Sequence, residues 1–350
     1  MAPLAVIDAR AAARAELGGV ERWARELADR LPRLRPGGYA VAWPPPRMTH
    51  RLGHLWEQTV LPARAARSGA LLLCPANLAP LAGRRNVVVL HDVAPLRDPS
   101  WYSPTYARVQ RLLLPRIAAG ARAIVVPSAF ARDELVSLLG VPPGRITVIG
   151  GGVDERFVPE ADATAARAAL GLDGPYVLTL ASRTARKNLD ALGPAAAALA
   201  GAGIALVAAG GGRPQFSAGP GAAAGVRDLG PVPDAHLPGL MAGARAFVLP
   251  SRYEGFGLPC LEAMACGVPV VTTPVSALPE VCGDAALYAD PDDRRGIADA
   301  VVRAATDDAT RARLVAAGPA RARGRTWDRT ARAVDDLLFT LAGAETDEKS

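Results

Sequence analysis

Ala246-Phe247-Val248-Leu249-Pro250-Ser251-Arg252-Tyr253-Glu254-Gly255-Phe256-Gly257-Leu258-Pro259-Cys260-Leu261-Glu262 compresses a strand, a turn and a helix start into one stretch. Four apolar residues with no polar alternation read as a strand covered on both faces, the pattern of a parallel sheet. Pro250, Gly255 and Gly257 break that strand, and Pro259 suits the first turn of a helix. Strand, short loop and helix make up the repeating unit of an open α/β sheet. Such sheets hold their ligands beyond the C-terminal ends of the strands. Glu254 stands at that place. Glu262, eight residues on, falls one turn into the helix and faces the same way. The amides of Gly257 and Leu258 meet the helix N-terminus, where backbone N–H groups favour phosphate. Two acceptor-only carboxylates beside such amides suit a ligand carrying both hydroxyls and phosphates. The plain alternative is a surface loop with a solvated Glu254 and a capping Glu262.

Working outward, the same unit recurs. Leu4–Arg10, Leu71–Cys74, Val87–Leu90, Ala123–Val126 and Ile146–Ile149 read as strands in the first half. Helices are predicted from Val20, Trp23, Leu27, Leu31 and Leu34 on one stripe, and over 55–67, 104–119 and 129–139. Ser128 is placed to cap the last of these. In the second half Tyr176–Leu180, Ile204–Ala208, Ala246–Leu249, Val268–Thr272 and Leu287–Tyr288 read as strands, with helices near 188–200, 259–265 and 296–305. Residues 308–341 read as helical. Two doubly wound α/β domains fit the 350-residue length. The change of domain falls between Gly150 and Pro175, after the Gly150-Gly151-Gly152 turn.

Composition narrows the function. No run of apolar residues is long enough to span a bilayer, and the N-terminus lacks a signal-peptide pattern, so a cytoplasmic location is expected. Cys74, Cys260, Cys266 and Cys282 form no Cys-x-x-Cys pair and read as buried thiols. Residues 1–150 carry 20 Arg, no Lys and 10 acids, against 18 Arg, 2 Lys and 24 acids in the remainder. The basic half fits an acidic acceptor, peripheral contact with an anionic membrane, or simply a solvated arginine face. Nucleic acid is disfavoured, because no aromatic-studded basic strand or recognition helix is present. Lys187 is the one lysine outside the C-terminal tail, in a chain that otherwise uses arginine. A compact ammonium and a guanidinium differ where a phosphate must be met.

The segment around Glu254 extends through Ala263-Met264-Ala265, Gly267-Val268-Pro269-Val270, Pro279-Glu280, Gly283-Asp284-Ala285-Ala286 and Asp290-Pro291. Over this length it resembles the retaining glycosyltransferases of family 4, which have the GT-B fold: two Rossmann-like domains facing a cleft. The resemblance runs from about residue 4 to 330 and is densest over 176–291. It implies an acceptor-binding domain over 1–158 and a donor-nucleotide-binding domain over 159–324. A helix over 325–343 either closes the second domain or crosses back to the first, with Trp327 as its anchor.

The resemblance also implies roles. Glu254 would contact donor-sugar hydroxyls, and Glu262 the ribose. Arg183-Thr184-Ala185-Arg186-Lys187-Asn188 is similar to the family's diphosphate-binding segment, which assigns Arg183 and Lys187 to the phosphates and leaves Arg186 pointing elsewhere. Two fixed cations would make a metal unnecessary. Gly18-Gly19 resembles the glycine pair over which donor phosphate and acceptor sit. His91, in His91-Asp92, matches a histidine that contacts the donor sugar. Val126-Pro127-Ser128 and Gly151-Gly152-Val153-Asp154 match two further landmarks; Gly151 stands where the family commonly has Asn, so that side chain's role is absent. Leu90-His91-Asp92 with Pro99-Ser100-Trp101-Tyr102-Ser103 looks like bacterial polysaccharide mannosyltransferases. GDP-mannose is therefore the favoured donor and a UDP- or dTDP-sugar the next.

The expected activity is retaining hexosyl transfer, without metal or cofactor, from a nucleoside-diphosphate sugar to a hydroxyl acceptor. A sugar-nucleotide epimerase or hydrolase of the same fold is the alternative. A nicotinamide dehydrogenase would need Gly-x-Gly-x-x-Gly after the first strand, and that is lacking. His50 and His54 have helical metal-ligand spacing but no Glu after the first His, and Asp290-Pro291-Asp292 reads as a turn. Gly210-Gly211-Gly212-Arg213 borders the donor pocket in this fold and loosely resembles a phosphate loop.

Overall fold

The computed structural model describes residues 2–14, 18–48, 53–180, 182–212, 215–217 and 223–347, without the side chains of 345–347. His50, Arg213 and the last residues of the tail therefore lie outside the described residues. Contacts divide the chain into two units. The first comprises the chain to Val93, Val109–Gly152 and the part from Arg325 onward; the second comprises Ala94–Arg108 and Val153–Gly324. The change falls at Gly152, inside the Gly150–Pro175 stretch read from the sequence and six residues before the 158 taken from the resemblance. The inclusion of Ala94–Arg108 in the second unit has no counterpart in the sequence reading.

In the first unit the chain runs β1 (Ala5–Asp8), α1 (Gly19–Leu34), β2 (Tyr39–Ala42), α2 (Gly53–Ser68), β3 (Leu71–Cys74) and β4 (Asn86–Val89). After α3 (Ala94–Arg97), which belongs to the second unit, come α4 (Pro104–Gly120), β5 (Ala123–Val126), α5 (Ala129–Leu139) and β6 (Ile146–Val148). The six strands pair in parallel in the order β2-β1-β3-β4-β5-β6. β1, β3, β4 and β5 are buried throughout, as continuous apolar strands in a doubly covered sheet should be. β2 escaped the sequence reading because two of the four residues in Tyr39-Ala40-Val41-Ala42 are alanine, a weak strand former. Ser128 caps α5, accepting from the Ala131 amide at 3.0 Å.

The second unit holds α6 (Ala163–Leu170), β7 (Tyr176–Leu180), α7 (Gly193–Gly201), β8 (Ala205–Ala209), β9 (Val226–Gly230) and α8 (Leu237–Ala242). There follow β10 (Ala246–Leu249), α9 (Leu258–Ala265), β11 (Val270–Thr272), α10 (Leu278–Cys282), β12 (Ala286–Tyr288), α11 (Arg294–Thr306) and α12 (Asp308–Ala322). The sheet is again all parallel, in the order β12-β11-β10-β7-β8-β9. Each unit is thus a doubly wound six-stranded sheet, the pair that makes up a GT-B fold.

Residues 308–341 are not one helix. Gly324 takes a left-handed φ of 77°, and the chain restarts as α13 (Trp327–Asp347), which packs on α1 in the first unit. Trp327, among the largest fully buried side chains, meets Trp23 edge-on with ring centroids 5.5 Å apart. Asp335 accepts from Arg35 at 2.9 and 2.7 Å and from the Tyr39 hydroxyl. Thr330 Oγ1 donates to the Gly150 carbonyl at 2.8 Å. A Cβ on Gly152 would fall 2.2 Å from the Trp327 nitrogen and 2.3 Å from the Thr326 carbonyl carbon, so the glycine turn lets the two backbones meet. No helix among the described residues is long and apolar enough to cross a membrane.

Candidate donor site

In the second unit strand order reverses between β7 and β10: β8 and β9 extend one side, β11 and β12 the other. Chains leaving the C-terminal ends of two such strands diverge, and the crevice between them is where open α/β sheets bind ligands. The loop after β7 carries Lys187 and the loop after β10 carries Glu254, so residues 67 apart in sequence become neighbours.

Lys187 Nζ lies 2.5 Å from Glu254 Oε1, which also accepts from Ser251 Oγ at 2.6 Å. Arg186 Nη1 reaches Glu254 Oε2 at 3.4 Å and donates to the Tyr253 carbonyl at 2.9 Å. All four side chains are buried. Burial alone would raise the Glu254 carboxyl. The charges of Lys187 and Arg186, with hydrogen bonds from Lys187 and Ser251, outweigh it and hold the carboxyl below its ordinary value. Burial pulls the Lys187 ammonium down, against the attraction of Glu254.

Local backbone explains the convergence. Ala185–Lys187 forms a 3-10 turn, and Asn188 follows with a left-handed φ of 55°. The Asn188 side chain ties this turn to the Pro250 and Pro291 carbonyls at 3.1 and 2.8 Å, while the Arg252 amide donates to the Arg186 carbonyl at 2.8 Å. Thr273 Oγ1 donates to the Ser251 carbonyl at 2.6 Å. The two loops are therefore one hydrogen-bonded body. Gly257, at φ 95°, caps α9, and a Cβ there would sit 2.7 Å from a Leu278 methyl. Leu258 opens α9, with Pro259 in its first turn, and Glu262 is buried one turn in.

One expectation is corrected. Arg186 does not point elsewhere; it is the second cation on Glu254. Arg183, given the phosphate role with Lys187, lies before the 3-10 turn and instead pairs with Asp228 of β9, its side chain 45% exposed. Ser251 and Arg186 were not singled out. The Ser-x-x-Glu spacing, which lets a serine hydroxyl turn back onto a carboxylate, was the signal for Ser251. Asp292 pairs with Arg252, and its amide donates to Asp290 at 2.8 Å, so Asp290-Pro291-Asp292 is a turn. Among the described residues no three His, Cys, Asp or Glu side chains gather as a metal site requires.

The first unit holds the remaining residues. Gly18 precedes α1 and its amide donates to Glu21 Oε2 at 3.0 Å; Gly19 begins the helix, and a Cβ on it would meet nothing within 4 Å. Among the described residues no neighbour demands a glycine there, which leaves room for a ligand to approach. His91 follows β4 and is buried. Its Nε2 donates to the Pro75 carbonyl at 2.9 Å, its amide donates to Asn77 at 2.6 Å, and its ring meets Trp23 edge-on at 5.5 Å. Burial lowers its pKa, so the ring is neutral at pH 7 and Nδ1 is the accepting nitrogen. A cluster not foreseen lies at this sheet's own reversal, between β1 and β3. Asp8 Oδ1 accepts from the Arg10 amide at 2.8 Å, and Arg10 pairs with Glu57 at 2.6 Å. Burial pushes the Asp8 carboxyl up to about 6.

Comparison with known proteins agrees with this layout. Residues 42–157 match the family described as Glycosyltransferase Family 4, and 174–307 match Glycosyl transferases group 1. An O-antigen chain mannosyltransferase B of Escherichia coli is 35% identical over 266 residues, 70% of this chain and 67% of the relative. A D-inositol 3-phosphate glycosyltransferase of Frankia alni is 33% identical over 239 residues, 62% of this chain but 58% of the relative, so the chain spans under two thirds of that enzyme. Among solved structures, a sucrose-phosphate synthase from Thermosynechococcus elongatus superposes with a TM-score of 0.76 over 98% of this chain and 100% of its own, at 22% identity. An Anabaena protein in complex with UDP and glucose superposes at 0.71 over 96% and 99%, at 19% identity.

Proposed function

Since the chain belongs to glycosyltransferase family 4, we propose that it moves a hexose, with retention of configuration, from a nucleoside-diphosphate sugar to a hydroxyl acceptor. The observation that carries this reading is the buried Lys187–Glu254–Arg186 cluster at a strand-order reversal, beside the N-terminus of α9. A departing diphosphate needs fixed positive charge and amide donors, and these pre-set groups supply both without reorganising during reaction. Glu254, kept ionised by its two cations, would accept hydrogen bonds from sugar hydroxyls, and Glu262 from the ribose. Neutral His91 would hydrogen-bond the sugar through Nδ1, and the backbone at Gly18 and Gly19 would allow the phosphates close approach. Lys187 and Arg186, joined by a reoriented Arg183, stand in for a metal.

GDP-mannose is the favoured donor, on the 35% identity to a mannosyltransferase. Neighbours in complex with UDP or UDP-glucose make a UDP-sugar the competing choice. The +10 charge of residues 1–150 supports an acidic acceptor or an anionic membrane surface. Four buried, unpaired cysteines suit the cytoplasm. The test is metal-free calorimetric titration with GDP, UDP and dTDP, repeated on Lys187→Ala. One nucleotide should bind at micromolar Kd and lose at least about tenfold in the variant, the scale of a charge-assisted hydrogen bond. No binding by any nucleotide, or equal binding by the variant, would overturn the reading.

A further inference from the structure

Part of the segment that joins β4 to β5, Ala94–Arg108, packs in the second unit, and it brings a tryptophan against the residue before Glu254. We propose that Trp101 is a stacking wall for the hexose of the donor, an inference that rests on the reading of Glu254 as the donor-sugar carboxylate. The Trp101 ring lies 5.7 Å from the Tyr253 ring, at 46°. Tyr253 directly precedes Glu254, and its carbonyl is the one held by Arg186. The indole is therefore packed against the residue that adjoins Glu254 in the chain, one that is itself buried.

The backbone holding Trp101 is pinned. Its carbonyl accepts from the Ser217 amide at 3.2 Å, Ser103 donates to the Gln215 carbonyl at 3.0 Å, and Ser217 Oγ donates to the Tyr102 carbonyl at 2.6 Å. Tyr102 and Phe216 pair as an antiparallel bridge, with rings 5.5 Å apart, and Tyr106 stacks on Tyr102 at 5.4 Å. The whole chain has only five Trp, six Tyr and six Phe. Trp101, Tyr102, Tyr106, Phe216 and Tyr253 come together in this one patch. Tyr102 and Tyr253 are buried within it, whereas Trp101 is only half-buried.

A pyranose has a polar edge of hydroxyls and a face of C–H groups. The hydroxyls need acceptors such as Glu254. The C–H face carries partial positive charge and suits the electron-rich face of an indole, as aromatic edges do. Carbohydrate pockets need both kinds of wall, a few convergent polar groups and an aromatic lining. Pro99-Ser100-Trp101-Tyr102-Ser103 thereby gains a role: it carries the apolar wall from the β4–β5 connection to the β10 loop.

The experiment compares a nucleotide sugar with its own nucleoside diphosphate by calorimetry, using GDP-mannose with GDP and UDP-glucose with UDP. Wild type, Trp101→Ala and Trp101→Phe are titrated with whichever pair wild type binds. Trp101→Ala should weaken the nucleotide sugar roughly three- to tenfold, the scale of one aromatic stacking contact. It should leave the diphosphate within about twofold. Trp101→Phe should regain most of the loss, which a general packing defect would not allow. Equal weakening of sugar and diphosphate, or no weakening of either, would overturn the inference. If wild type binds no nucleoside diphosphate, dTDP included, the donor-site reading itself falls, a result distinct from an unmoved Trp101→Ala.

Discussion

Lys187→Met keeps the methylene stem and removes the ammonium 2.5 Å from Glu254 Oε1. Ser251 at 2.6 Å and Arg186 at 3.4 Å remain. Removing one partner of a buried ion pair costs about 3–5 kcal/mol, and the surviving cation should reduce this to about 2–4 kcal/mol. The pH dependence is the sharper signature. In wild type Glu254 sits below its ordinary value of 4.5. Its contribution is therefore complete above that value and is lost as pH falls through the lower folded pKa. The variant loses the strongest influence holding the carboxyl down, so burial prevails and the pKa rises above the ordinary value. A carboxyl raised by burial is tolerated while protonated and costs stability once ionised. The penalty should thus be smaller at pH 4.5 than at pH 7.5, where the stranded carboxyl must also ionise. Scanning calorimetry at both values should show Tm lower by about 4–16 °C at pH 7.5 for a unit of this size. Lys187→Met/Glu254→Gln removes the buried carboxylate and leaves Arg186 with the Tyr253 carbonyl, so it should recover part of that loss but not nucleotide binding. An equal Tm loss at both pH values would mark a packing defect and refute the electrostatic account, as would no loss at either.

Two further predictions concern the first unit. Asp8, raised to about 6 from 3.8, stabilises most when protonated, and that contribution disappears as pH rises through 6. The stability difference between Asp8→Asn and wild type should move in the variant's favour by up to about 3 kcal/mol from pH 4 to pH 7.5; a difference constant across denaturation curves in that range would contradict it. Gly152→Ala places a Cβ against the Trp327 and Thr326 backbone and should cost about 3 kcal/mol by overpacking. Limited proteolysis should then release α13 more readily, and unchanged resistance would refute the close approach as its anchor.

Strand and helix positions were largely legible because buried parallel strands are continuous apolar runs: β1, β3, β4, β5, β7, β8 and β10 all declared themselves. β2 and β9 did not. Tyr39–Ala42 is half alanine, and Val226-Arg227-Asp228-Leu229-Gly230 is an edge strand with exposed charge in its middle. The break at Gly324 was hidden because helical periodicity continues on both sides of it. Strand order was not legible at all. Local periodicity says nothing about which parallel strand lies beside which, so the adjacency of β7 and β10 that joins Lys187 to Glu254 came from resemblance alone. The choice between Arg183 and Arg186 failed for a related reason. Motif spacing counts residues along the chain, whereas the 3-10 turn followed by left-handed Asn188 decides which side chains turn inward.

The two arginine placements have unequal consequences for the proposed chemistry. Arg183 and Asp228 form a half-exposed pair, and such pairs contribute about 0–1 kcal/mol. An arriving phosphate can take Arg183 at little cost, so its place in the free protein does not exclude it from the donor. Lys187 is different. Withdrawing its ammonium from Glu254 would incur the buried-pair penalty worked out above, and would also drive the carboxyl toward protonation just when sugar hydroxyls need an acceptor. The arrangement therefore favours a diphosphate that shares Lys187 with Glu254 over one that captures it. Two N–H donors remain on the ammonium beside the one given to Glu254 and permit such sharing, where a single-donor group would not. Sharing couples the two ends of the donor: charge arriving at the phosphates draws on the same lysine that keeps Glu254 ionised at the hexose. It also gives a physical reason for the lone ammonium in an arginine-rich chain, because a rigid guanidinium fork at 187 would be committed to the plane of Glu254.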